Sequence, residues 1–198
     1  MKLVIASNNA HKVREIKQIL GNYFEQLDTL QDAGLDIDVV EDGITFEENA
    51  IKKAEAVLAA APQYDAALAD DSGLMVDALN GAPGVYSARY AGDAHNDSAN
   101  NQKLMCDMEH VPDSERTCRF VSAIALACRD QKTVTVVGTC EGLLLREARG
   151  QNGFGYDPYF FYAPMQCSFA ELDGEKKNAV SHRHNALQKL KALLEEKA

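Results

Sequence analysis

The chain opens with Lys2-Leu3-Val4-Ile5-Ala6, a short apolar run that breaks into Ser7-Asn8-Asn9. Such a run against a polar cluster predicts a buried strand ending in a turn. From His11 to Leu20 the apolar residues Val13, Ile16, Ile19 and Leu20 recur at helical spacing, and Gly21 closes the pattern. Strand, polar loop and helix make the first arm of an α/β fold. Thr45-Phe46-Glu47-Glu48 reads as a capping box, with the Thr45 hydroxyl and the Glu48 carboxylate placed to satisfy helix N–H groups. Phe46, Ala50, Ala54, Val57, Leu58 and Ala61 then line one face until Pro62 stops the helix. Ala66-Ala67-Leu68-Ala69 predicts a second short strand that delivers Asp70-Asp71-Ser72-Gly73 at its C-terminal end. Residues 97–110 read as helix. Residues 117–129, apolar on both alternating faces apart from Ser122, suit a central strand. The β-branched stretch 133–139 is its partner, joined through a hairpin at Asp130-Gln131, and Leu187, Leu190, Leu193 and Leu194 mark a final helix. The pattern predicts a mixed α/β fold with a central sheet. One domain over residues 1–198 is expected, in two lobes around a substrate cleft, with no linker or repeat to fix the boundary.

Charge narrows the partners. A net charge of −10 disfavours general nucleic-acid binding, so an anionic substrate must meet a local basic cluster. No apolar run approaches the roughly 18–20 residues that cross a bilayer, and Met1 to Ala6 lacks the core of a signal peptide. The five cysteines, Cys106, Cys118, Cys128, Cys140 and Cys167, form no CxxC, which points to free thiols and a cytoplasmic setting rather than a disulfide framework or a zinc site.

Three polar clusters carry the candidate chemistry. In Ser7-Asn8-Asn9-Ala10-His11-Lys12 a loop enters a helix, presenting backbone N–H groups and a positive dipole end, with Lys12 adding a full charge. Alone, the same residues are an ordinary cap. The second cluster gathers Glu41-Asp42, Glu47-Glu48 and the adjacent pair Asp70-Asp71. Two neighbouring carboxylates at a strand end repel unless a cation or proton offsets them, and Mg²⁺, held by one or two carboxylates plus substrate phosphates, is the economical partner. A turn cap is the alternative. The third is Gly153-Phe154-Gly155-Tyr156-Asp157-Pro158 with Lys177 and Ser181-His182-Arg183. An aromatic between glycines can stack a planar base, Lys177 and Arg183 bring charge, and His182 can donate a hydrogen bond. Its bland counterpart is a glycine-rich turn beside a solvated charge run. A P-loop, a dinucleotide fingerprint and a serine elbow are absent from the sequence.

In order, these clusters, with Gly43 to Ala50, Ala69 to Leu74, Gly81 to Tyr90 and Lys177 to Arg183, resemble the inosine/xanthosine triphosphate pyrophosphatase family from end to end. The resemblance implies a two-lobed α/β homodimer, dependent on Mg²⁺, that cleaves non-standard purine nucleoside triphosphates between the α and β phosphates. It puts the substrate loop on Ser7, Asn8, Asn9, Ala10, His11 and Lys12. It makes Asp71 the catalytic carboxylate and a metal ligand, with Ser72 beside it and Glu41 as the second metal contact. Base recognition falls on Phe154, Gly155, Tyr156, Asp157, Lys177, His182 and Arg183. Three positions depart from the family pattern: Ser7 replaces a frequent Thr, His184 a usual Gly, and Glu147-Ala148-Arg149 lacks a common proline. A sister family with similar architecture that hydrolyses modified pyrimidine triphosphates and a catalytically silent nucleotide-binding module are the rival readings.

Overall fold

A computed structural model describes residues 1–92 and 96–196. The order is β1 (Lys2–Ile5), α1 (Ala10–Leu20), β2 (Gln26–Thr29), α2 (Phe46–Ala60), β3 (Ala66–Val76), α3 (Asp97–Asp107), β4 (Thr117–Cys128) and β5 (Val134–Leu144). Then come β6 (Phe160–Tyr162), β7 (Cys167–Ser168), α4 (Gly174–Val180) and α5 (His182–Glu195), with short 3₁₀ turns between. The strands form one mixed sheet in the order β2-β1-β3-β4-β5-β6-β7. The predicted mixed α/β class is the observed one.

The described chain divides into two compact units. Unit 1 comprises Met1–Asp71, Ser122–Gly138 and Arg183–Ala198; unit 2 comprises Ser72–Val121 and Thr139–His182. In unit 1, β1 pairs in parallel with β2 and with the first residues of β3, so β1 sits between them. The chain leaves β1 toward β2 through α1, then returns past β1 to β3 through α2. With right-handed crossovers, these opposite movements put α1 and α2 on opposite faces of the sheet. They also make the C-terminal end of β1, beside β3, the point where strand order reverses, which is where α/β sheets collect ligands. The core of this unit packs Leu3, Ile5, Ala66, Leu68, Ile124 and Leu126 of the sheet against Ile16 and Leu20 of α1 and Ala186, Leu187 and Leu190 of α5. Each leucine so buried contributes about 1.5–3 kcal/mol over an exposed one. Unit 2 has its own core of Leu74, Val76, Leu104, Met108, Phe120, Phe160 and Phe169, with the three phenylalanine rings in mutual contact at centroid distances of 4.6–5.9 Å.

Two expectations change. The Thr45 cap forms as predicted, its hydroxyl accepting from Glu48 N at 3.1 Å, but the Glu48 carboxylate accepts from Ile44 N at 2.8 Å rather than from the cap residue itself. More consequentially, the strand after Pro62 does not end before the aspartates. It continues through Asp70-Asp71-Ser72-Gly73 to Val76. Gly73 makes this possible by close approach: a Cβ there would stand 2.3 Å from Ser87 Oγ and 2.6 Å from the Gly84 carbonyl. Ser87 Oγ in turn accepts from Leu74 N at 2.9 Å, so the small residues let a 3₁₀ turn dock on the strand. Helix α4, which holds Lys177, has too short an apolar pattern to be read from the sequence. Cys118 and Cys140 are buried free thiols, both pushed up to about 12 by burial, hence poor nucleophiles.

Candidate active site

Because strand side chains alternate, continuing β3 through the aspartate pair sends the two carboxylates to opposite faces of the sheet. Asp70 shares its face with Ala66 and Leu68, toward α1 and α5. Its Oδ2 takes Lys12 Nζ at 2.7 Å and Arg183 Nε at 3.2 Å, and its Oδ1 accepts from the hydroxyl of Ser122 on β4. Arg183, at the start of α5, also holds Glu15 of α1 at 3.0 Å. Asp70 is 2 % exposed and Arg183 1 %. Burial alone would push the Asp70 carboxyl up, but Arg183 and Lys12 outweigh it and hold it well below the usual carboxylate range. Burial draws Lys12 below its ordinary value, with Asp70 opposing. Arg183 is held above its usual value: burial opposes its charge, and the carboxylates of Asp70 and Glu15 overcome it.

Asp71 faces the α2 side. Asn49 Nδ2 donates to its Oδ2 at 3.0 Å, and Lys53 Nζ lies 3.5 Å from its Oδ1. Lys53 also reaches Glu41 Oε1 at 3.1 Å, so one ammonium ties together the two carboxylates that the sequence singled out as metal contacts. Here burial prevails over Lys53 and Lys12, with Glu41 adding repulsion, and the Asp71 carboxyl is raised. The last β1–β3 register pair is Ile5 with Leu68, followed by a bond from Ala6 N to the Leu68 carbonyl at 2.8 Å. Beyond that point the Asp70 carbonyl accepts from Lys53 Nζ at 3.0 Å and Lys12 Nζ at 3.4 Å. The end of β1 and the continuation of β3 thus set two lysines and two aspartates around one stretch of backbone.

The loop of residues 7–12 is held by Asn9, which caps α1: its Oδ1 accepts from His11 N at 3.0 Å and Lys12 N at 3.3 Å. Ser7 Oγ accepts from Asn9 N at 3.2 Å. Three of the amides expected to greet a phosphate, those of Asn9, His11 and Lys12, are therefore already bonded, and Lys12 carries the cationic character of the loop. Asn8, Ala10 and His11 are exposed there.

In unit 2, Gly153 and Gly155 adopt φ of +78° and +61°, which glycine tolerates. A Cβ at Gly153 would fall 2.1 Å from Asp157 Oδ2. Asp157, buried, accepts from Phe154 N at 2.9 Å and pairs with the buried ammonium of Lys177, which lies 4.5 Å from the Phe154 ring centre. Gly155 N donates to Asp97 at 2.7 Å, and Asn101 donates to the Gly155 carbonyl at 2.9 Å, so one face of α3 fixes the loop tip. The Tyr156 hydroxyl donates to the Ser87 carbonyl at 2.7 Å, and burial raises its pKa. The buried His182 ring stacks on Phe120 at 4.9 Å. Ser72 follows Asp71 on β3, half-buried.

The predicted residues are therefore gathered in two sets. Lys12, Glu41, Asp71 and Arg183 belong to one unit; Phe154 to Asp157, Lys177 and His182 belong to the other. Arg183, expected beside His182, directs its guanidinium to Asp70 and Glu15 instead. Glu15, Asn49, Asp97 and Asn101 escaped the sequence reading. The one polar residue noted in the central strand, Ser122, proves to serve Asp70.

Lys12, Lys53 and Arg183 face Glu15, Glu41, Asp70 and Asp71, so this group carries one negative charge in excess. Among the described residues no group of three or more His, Cys, Asp or Glu could hold a metal ion. Glu41 and Asp71 nevertheless suit a hard divalent cation that takes the rest of its oxygen ligands from phosphates and water. A mixed cluster of lysines and carboxylates at the strand-order reversal of an α/β sheet is the equipment of a protein that handles phosphate anions.

A model of the Ham1 family matches residues 3–193, and the chain belongs to that family. It is similar to the dITP/XTP pyrophosphatases of Clostridium perfringens (48 % identity; 96 % of this chain, 95 % of the relative) and Leuconostoc mesenteroides (51 %; 96 % and 94 %). It is also similar to the structure of the Staphylococcus aureus Ham1 protein, at 41 % identity and a TM-score of 0.90 with each chain covered completely.

Proposed function

We propose that the chain hydrolyses non-standard purine nucleoside triphosphates such as ITP, dITP and XTP to the monophosphate and pyrophosphate. The observation that carries this reading is the lysine–carboxylate cluster around Asp70 and Asp71, in a chain about half identical to dITP/XTP pyrophosphatases over nearly its whole length.

Lys12 binds phosphate oxygens; its ammonium is only part-buried, and its charge is anchored by Asp70. Asp71 orients the attacking water and accepts its proton, its carboxylate being buried and steadied by Asn49. Glu41 and Asp71 would hold Mg²⁺, consistent with the excess negative charge of the group. When bound, the ion neutralises charge on the departing pyrophosphate. Arg183 acts beneath the surface, keeping Asp70 ionised so that Lys12 stays in place. Phe154 stacks the base, and His182 donates to the 6-oxo group that hypoxanthine and xanthine carry and adenine lacks. A site built to pair that oxygen rejects the amino analogue. The working form is a homodimer in the cytoplasm; no helix among the described residues is long and apolar enough to cross a membrane. Light scattering on the purified chain checks the dimer.

The test is product analysis with ITP, XTP, ATP and a modified pyrimidine triphosphate, with and without Mg²⁺. Monophosphate and pyrophosphate from the oxo-purines alone support the reading. Orthophosphate release, or turnover of the pyrimidine alone, overturns it.

A further inference from the structure

Lys53 occupies an unusual position for a lysine beside two carboxylates. Its ammonium has three donors, and three oxygens lie around it: the Asp70 carbonyl at 3.0 Å, Glu41 Oε1 at 3.1 Å and Asp71 Oδ1 at 3.5 Å. The side chain is 13 % exposed, while its neighbour Lys52 turns outward to the exposed Asp42. The α2 helix explains the difference, because Asn49 and Lys53 stand one turn apart on the same face and both meet Asp71. The ammonium thus sits in an oxygen cradle of the kind that a hard divalent cation takes.

We propose that Lys53 is the resident counter-ion of this cradle, suppressing divalent-cation binding by the free protein so that the metal enters together with the nucleotide. The inference rests on the metal role given to Glu41 and Asp71 in the proposed function. A divalent ion bound by those carboxylates lies within a few ångströms of a fixed positive charge that was there first. It must either displace the ammonium or endure its repulsion, and at that range the cost is large enough to decide occupancy. A triphosphate changes the balance twice: its oxygens complete the ion's coordination, and its negative charge gives the displaced ammonium a new partner. Lys12 is the weaker tenant of the cradle: it reaches the Asp70 carbonyl only at 3.4 Å and gives its short contact, 2.7 Å, to Asp70 Oδ2 on the other face of the strand.

The experiment uses the full chain without nucleotide and Mn²⁺ alone as the probe, titrated by the loss of its free-ion spin-resonance signal. Lys53→Met and Lys53→Gln both remove the charge. Lys53→Arg keeps it, and Lys53→Met/Glu41→Gln removes the cradle as well. A thermal melt of each variant confirms the fold. The neutral variants bind Mn²⁺ roughly ten- to a hundredfold tighter than the parent, Lys53→Arg stays weak, and Glu41→Gln cancels the gain. Equal affinity in the parent and both neutral variants, abolished by Glu41→Gln, would overturn the counter-ion role while leaving the metal site standing. A gain that survives Glu41→Gln would move the cation elsewhere and remove the assignment of Glu41 along with the inference.

Discussion

In unit 1, three cations face four carboxylates, two of them the aspartate pair of β3; in unit 2, the buried ion pair Lys177–Asp157 lies under a turn with two left-handed glycines. The first set stands mostly on regular elements, α1, α2, β3 and α5, whose periodicity aims each charge. The second uses one carboxylate to hold a loop amide and one ammonium to lie against an aromatic ring. Charge in unit 1 is therefore tuned for handling other charges, whereas charge in unit 2 fixes a shape. Within unit 1 the same division recurs between adjacent residues. Asp70 is held ionised by its partners, and Asp71 is held partly against its charge by burial.

Substitutions that separate these roles range from large to small. Asp71→Asn lowers ITP hydrolysis about 10²–10⁴-fold, as expected on losing a general base. Its melting temperature at neutral pH stays level or rises, because a raised carboxyl opposes folding once ionised. Asp70→Asn does the reverse to stability. It leaves Arg183 and Lys12 without their buried partner and costs about 3–5 kcal/mol, a fall of roughly 6–20 °C in the melting temperature. If Asp71→Asn proved as destabilising as Asp70→Asn, the division between the two aspartates would be wrong.

Acid titration sharpens the same contrast. The folded-state pKa of Asp70 is depressed, so its contribution to stability is full above the ordinary carboxylate range and fades as pH falls through and below it. That of Asp71 is raised, so its contribution runs oppositely, present at low pH and lost as pH rises through its folded value. Unfolding curves of Asp70→Asn and parent should converge as the pH drops below about 4.

In unit 2, Gly153→Ala forces a Cβ toward Asp157 at a φ of +78° and costs about 1–3 kcal/mol. Steady-state kinetics should show a raised KM for ITP and a smaller preference over ATP, with kcat less affected. Thr45→Ala removes only the α2 cap, worth about 1 kcal/mol, and should leave base preference untouched.

Much of this was written in local pattern. The β1–loop–α1 arm, the strand expected over residues 117–129 and the final leucine helix are periodic signals and the Thr45 cap a local one; each appears where the sequence put it, the strand ending at Cys128. The extent of β3 was hidden because two aspartates look like the end of an apolar strand. Only partners distant in sequence let them stay inside it: Ser122 and Arg183 for Asp70, Asn49 for Asp71. The same holds for Glu15, a carboxylate beside the apolar stripe of α1 whose partner stands 168 residues away. Cluster membership was legible and pairing was not, since periodicity reports which face a residue takes and says nothing of what meets it there.

The most direct measurement is the product balance from ITP, XTP and ATP with Mg²⁺ present, resolving pyrophosphate from orthophosphate. The account predicts equimolar monophosphate and pyrophosphate from ITP and XTP, with ATP slower by orders of magnitude. Orthophosphate as the released product, or ATP turned over as fast as ITP, would contradict it.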